Sequence, residues 1–116
     1  MQEYTEEQFL EKYNSLPQEL KTAMSSVESS DIIQAISKKF GLQIDQMGEL
    51  ASETGFVLLG FTKPEDYIRN LKDRLQIEPQ KAKEIALEIN SQIFSKVKET
   101  LKRMHGIGGE EKKEIE

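Results

Sequence analysis

Two glutamate pairs, Glu49 with Glu53 and Glu84 with Glu88, come nearest to a spacing that could do chemistry. The members of each pair are four residues apart, so on a helix both carboxylates share one face. Four convergent carboxylates could hold two metal ions, as in helical bundles, but those sites add a Glu-x-x-His motif. That motif is missing, and the single histidine is His105. The pairs therefore read as solvated helix faces. His105 could act as a base or a ligand. No second His and no Cys stands with it, and its place before Gly106 suits a helix C-terminus, where a cation meets the dipole. The acidic cluster Glu3, Glu6, Glu7 and Glu11 lacks the alternating Asp/Asn, the Gly and the distal Glu of a calcium loop. Gly106-Ile107-Gly108-Gly109 follows a helical pattern and has neither the Lys nor the Ser/Thr of a phosphate loop. No Ser sits in a nucleophile elbow. No catalytic, cofactor-binding or metal-ligating residue is assigned. The expectation is a protein without cofactor that is not an enzyme.

Two surfaces remain. Lys96, Lys98, Lys102 and Arg103 concentrate positive charge near the C-terminus, with Lys81 and Lys83 upstream. They could contact phosphates or an acidic partner. The net charge of −5 disfavours a dedicated nucleic-acid binder, whose affinity rests on neutralising phosphates. The apolar residues Ile93, Val97, Leu101 and Met104 extend beyond the stretch that a first helical unit would match. Such a stripe needs cover, either a second copy of the chain or the N-terminal helix through Phe9, Leu10 and Tyr13.

The elements that would position these residues are helical. A chain of 116 residues is long enough for one independent core. There is no Cys, which excludes disulfides and thiolate chemistry. The longest apolar run is Phe56–Leu59, far short of the roughly 20 residues of a membrane span. The acidic N-terminus is unlike a signal peptide, so a cytoplasmic protein with no membrane partner is expected. Thr5-Glu6-Glu7-Gln8 is a capping box. Ser29 or Ser30 is expected to cap the next long helix, and Gly41 to end it in the left-handed conformation. Gly60 ends another helix, Thr62-Lys63-Pro64-Glu65 reads as a second capping box, and Pro79 starts the last helix. Apolar residues from Ala82 to Met104 at spacings of three and four predict a continuous final helix of more than twenty residues. Gly55–Phe61 also fits a short buried strand, but a lone strand would leave its backbone groups unpaired.

Residues 31–60 lie over 66–95 at a shift of 35, with five identities and coinciding apolar positions. A period of that size marks a two-helix unit. Gln76 takes the place of Gly41, and Ile77 that of Leu42. The expected fold is all-α: a compact bundle of about six helices, built from two helix-turn-helix repeats and an N-terminal helical arm. Its parts are a single domain at 1–105, with the arm at 1–28, repeat one at 29–61 and repeat two at 62–105, followed by a disordered charged tail at 106–116.

The runs Leu16-Pro17-Gln18-Glu19-Leu20, Lys38–Ala51, Val57–Asp66 and Ala82–Phe94 resemble small helical proteins of unknown function from bacteria of the candidate phyla radiation. The resemblance covers about Leu16–His105 and implies a bacterial cytoplasmic setting. It transfers no catalytic residue. The expected function is a non-catalytic protein-interaction or scaffold module, self-associating through Ile93, Val97, Leu101 and Met104. Its alternative is a nucleic-acid-associated protein using Lys96, Lys98, Lys102 and Arg103.

Overall fold

The computed structural model describes residues 5–105. Residues 1–4, the expected tail at 106–116, and the side chains of Met104 and His105 lie outside the described residues, and so do the expectations resting on them. The described residues form α1 (Glu6–Ser15), α2 (Gln18–Ser25), α3 (Val27–Lys39), α4 (Ile44–Leu59), α5 (Pro64–Leu75), α6 (Pro79–Gln92), a 3-10 turn (Phe94–Val97) and α7 (Lys98–His105). No strand occurs among them, and Phe56–Leu59 closes α4 as helix. No helix among the described residues is long and apolar enough to cross a membrane.

Local chemistry sets most of the helix ends. The Thr5 hydroxyl accepts from the Gln8 amide at 3.1 Å, and Gln8 Oε1 accepts from the Thr5 amide at 2.8 Å. At the end of α3, Gly41 has φ +68°. The Leu42 amide donates to the Ser37 carbonyl at 2.8 Å and the Gly41 amide to that of Lys38 at 3.2 Å, a Schellman ending. Gly60, at φ +89°, closes α4 in the same hand. Gln76 takes the left-handed conformation at φ +55°, with the Ile77 amide on the Lys72 carbonyl at 3.2 Å.

Three boundaries correct the sequence reading. First, α3 begins at Val27, capped by Ser26, whose hydroxyl accepts from the Ser29 amide at 3.0 Å. Ser29 and Ser30 are therefore inside the helix. Second, Thr62 does not cap α5. Its amide is tied back to the Phe56 carbonyl, and Lys63 is the cap before Pro64. Third, the final helix is broken. α6 stops at Gln92, Ile93 turns to φ −117°, and the 3-10 turn intervenes before α7. Ser91 donates to the Glu88 carbonyl and Ser95 to that of Ser91, hydroxyl bonds that compete with the helix ladder and bend it. The turn rotates Phe94 into the core, where its ring meets Tyr67 edge-on at 5.3 Å.

α3 to α6 close into a ring, each packed on its chain neighbours, with α6 returning to α3. Leu50, Val57, Leu71, Leu75, Ile85 and Ile89 fill its centre. α2 lies across α3, α4 and the 3-10 turn, and buries Leu20. α1 packs on α4 and buries no residue completely. The turns at Gly41 and Gln76 match at the 35-residue shift, but the wider repeat is not established. Ala51 is exposed while Ala86 is buried, and Glu53 is buried while Glu88 is not.

Candidate functional site

The apolar stripe expected to self-associate is covered within one chain. Ile93, Val97 and Leu101 are at most 7 % exposed. The sequence reading left cover within the chain open but gave the stripe one straight helix, whereas the break at Ile93 folds it onto the core. The cover is not α1: Leu10 is exposed, Phe9 packs on Phe56 and Phe61, and α2 lies against the turn. The side chain of Met104 is outside the described residues.

The basic face is partly neutralised. Lys96 forms an ion pair with Glu28, which holds the Glu28 carboxyl below its ordinary range by hydrogen bonding and charge. Arg103 donates to the Thr100 hydroxyl at 3.4 Å, and that hydroxyl donates to Glu19. Lys98 and Arg103 are exposed and Lys102 half-buried.

The two glutamate pairs do not converge. Glu49 and Glu53 share Arg74 of α5: its Nη1 lies 3.5 Å from Glu49 Oε1, and its Nε 3.4 Å from Glu53 Oε2. Glu88 instead pairs with Lys39 of α3, which lowers its pKa through a hydrogen bond. Glu84 accepts from Gln80 on its own helix. No cluster among the described residues could hold a metal ion. Glu53 is 1 % exposed, contrary to the solvated face read from sequence. Burial pushes its pKa up, while Arg74 and then Asn70 pull it down, and Glu49 raises it slightly. Behind it, the Thr54 hydroxyl donates to the Leu50 carbonyl at 2.8 Å. Its single proton is used there, so the buried Tyr67 hydroxyl donates to Thr54 at 2.6 Å. Burial raises the Tyr67 pKa as well. The Thr54 and Tyr67 hydroxyls satisfy one another and tie α4 to α5.

The feature best shaped to receive another molecule is a groove of about 500 Å³ between α2, α3 and α4. Its floor follows one face of α4 through Met47, Gly48, Ala51, Gly55 and Leu58. Ile33 and Gln34 of α3 form one wall, and Met24 closes the α2 end. The groove exists because its floor residues are small. A Cβ added at Gly48 meets nothing within 4 Å, and one at Gly55 meets only the Met24 methyl at 3.8 Å. Glycine within a helix costs about 0.8–1.0 kcal/mol relative to alanine, and no packing among the described residues offsets that cost at Gly48. None of the fourteen lining residues is charged, although 32 % of the whole chain is. The Thr54 hydroxyl, already bonded inward, offers nothing to the groove.

No family model matches the chain, and no curated protein or solved structure matches it.

The groove was hidden in the sequence because Met47, Ala51 and Leu58 sit at the spacing of an ordinary core stripe. The available signals were Gly48 and Gly55, mid-helix glycines with no turn to make.

Proposed function

We propose that this chain is a non-catalytic protein-interaction module that binds a partner through the α2–α3–α4 groove. The observation that carries this reading is an open, uncharged, apolar channel with glycines in its floor. Ligand sites are concave and largely apolar with few polar groups, and lining methionines such as Met24 and Met47 adapt to a partner's shape.

The chain has no cysteine, so a single Ser30→Cys on the groove wall takes one benzophenone cross-linker. Lys83→Cys, exposed on α6, is the control position. In native extract the Ser30 probe should capture a protein that the Lys83 probe does not. Unlabelled wild-type chain should compete it away, and the groove-filling variant Gly48→Leu should not. Equal competition by both chains would overturn the reading.

A further inference from the structure

The groove has two unlike ends. At the α2 end it opens, past Ala23, Ser29 and Ile93, into a second pocket of about 270 Å³. Glu19, Glu28 and Lys96 line that pocket, two carboxylates against one ammonium. Lys96 is spent on Glu28. The Glu19 carboxylate accepts from the Thr100 hydroxyl, which Arg103, outside the lining, also holds at 3.4 Å; among the described residues Glu19 forms no ion pair, so the lining keeps one carboxylate more than it has cations. The N-terminus of α3 is also here, and its dipole favours anions. That preference is already met inside the chain, because Ser26 caps the helix and Glu28 occupies its first turn. At the other end Ile44 is 83 % exposed, beside exposed Asp45 in the first turn of α4. An occupant must therefore be apolar along its length and basic where it reaches Glu19 and Glu28.

The floor also sets a length. From Met47 to Leu58 the helix rises about 16 Å at 1.5 Å per residue. That is three turns, the reach of the i, i+3/i+4, i+7 anchors by which an amphipathic helix fills a groove. Gly48 and Gly55 let a helix backbone approach where a side chain would hold it off.

We propose that the groove receives the apolar face of a three-turn amphipathic helix from a protein partner, with a Lys or Arg at the end that meets Glu19 and Glu28. This rests on the interaction-module reading above and specifies its partner.

The probe is a fluorescein-labelled 14-residue model helix with leucines on one face, alanines elsewhere and two lysines at one end. A second peptide carries glutamates in place of the lysines, and a third has the leucines dispersed around the helix. Anisotropy should show the lysine peptide binding, the dispersed peptide not binding, and the glutamate peptide roughly tenfold weaker or worse. Added salt should narrow the gap between the lysine and glutamate peptides. Gly48→Leu should weaken the lysine peptide about tenfold or more. Since the added Cβ has open space, its melting temperature should be no lower than wild type, which separates blocking from misfolding. Glu19→Gln with Glu28→Gln should remove the preference for lysine.

Equal binding of the lysine and glutamate peptides would overturn the charge assignment. Failure of every peptide, with a Ser30 cross-link still displaced as described, would overturn this inference and leave the module reading standing. A dimer of the chain that Gly48→Leu dissociates would assign the groove to a second copy and overturn it too.

Discussion

Glu53 holds a carboxylate where water cannot reach it, 1 % exposed on α4, with Arg74 Nε as its counter-charge at 3.4 Å. Burying a charge costs several kcal/mol, and a partner returns that only with good geometry. Neither Glu53 oxygen has a hydrogen bond of good geometry, and the Arg74 Nε proton is likewise unmatched. Desolvation wins, and the folded pKa lies above the ordinary 4.5. A carboxyl whose folded pKa is raised binds its proton more tightly in the folded chain. Its contribution therefore opposes folding at neutral pH, and the opposition fades as pH falls through the folded value towards 4.5. Glu28 and Glu88 have lowered pKa values, so their stabilisation is present above 4.5 and is lost below it. Urea unfolding followed by circular dichroism should thus show stability rising as pH falls from neutral through the folded Glu53 value towards 4.5, then falling below 4.5. Glu53→Gln should flatten the first limb and leave the second. A variant with the same rise would place the proton elsewhere.

The turns and breaks between helices carry the next set of consequences. Gly41 and Gln76 make the same left-handed turn, one without a Cβ and one with it. Gln76→Gly should stabilise the chain by about 0.5–1 kcal/mol, because relief of the left-handed strain exceeds the added freedom of the unfolded chain. Gly41→Ala should destabilise by about 1 kcal/mol; its Cβ meets nothing within 4 Å, so that loss is backbone strain alone. Equilibrium urea unfolding reads both, and a stabilising Gly41→Ala would refute the account. These turns were legible because Gly, Pro and Thr5 act on their own neighbours, and Gln76 could be inferred from its alignment with Gly41. The start of α3 was not, because Ser26, Ser29 and Ser30 are equally able caps and packing of α2 chooses among them. The break at Ile93 was hidden because apolar spacing runs through it unchanged. The burial of Glu53 beside Arg74 depends on α5, an element distant in sequence, and a groove depends on which neighbour is missing. The break makes Leu101 a core residue at 6 % exposed. Leu101→Ala should therefore cost about 2–4 kcal/mol at any protein concentration. A loss that shrinks as the chain is concentrated would restore the self-association expected from sequence.

Across the whole molecule, stability is unevenly spread. The ring of α3 to α6 owns the centre of the core, whereas α1 has no fully buried residue. Among the described residues, α1 is held by ring packing at Phe9 and by Tyr13, over whose ring Lys21 Nζ also lies at 5.7 Å. Phe9 stacks on Phe56 at 5.7 Å and meets Phe61 edge-on at 5.6 Å, and the Tyr13 hydroxyl bonds that of Ser25 at 3.0 Å. Ser25 gives its own proton to the Lys21 carbonyl, so Tyr13 is the donor. A half-buried phenyl ring and one exposed hydrogen bond contribute about 1–3 kcal/mol together, a fraction of the usual 5–15 kcal/mol of a domain. α1 should therefore open without the ring. Its amides should exchange in native-state hydrogen exchange well before those at the centres of α4, α5 and α6, because none of its residues is fully buried. Deleting residues 1–14 keeps Leu16, which is buried between α1 and α2. The shortened chain should retain one cooperative unfolding transition, lowered by about 1–3 kcal/mol. It should also bind the lysine peptide as the full chain does, since no residue of α1 lines the groove. Loss of cooperative unfolding would make α1 part of the folding core, and loss of binding with folding intact would extend the binding surface to α1.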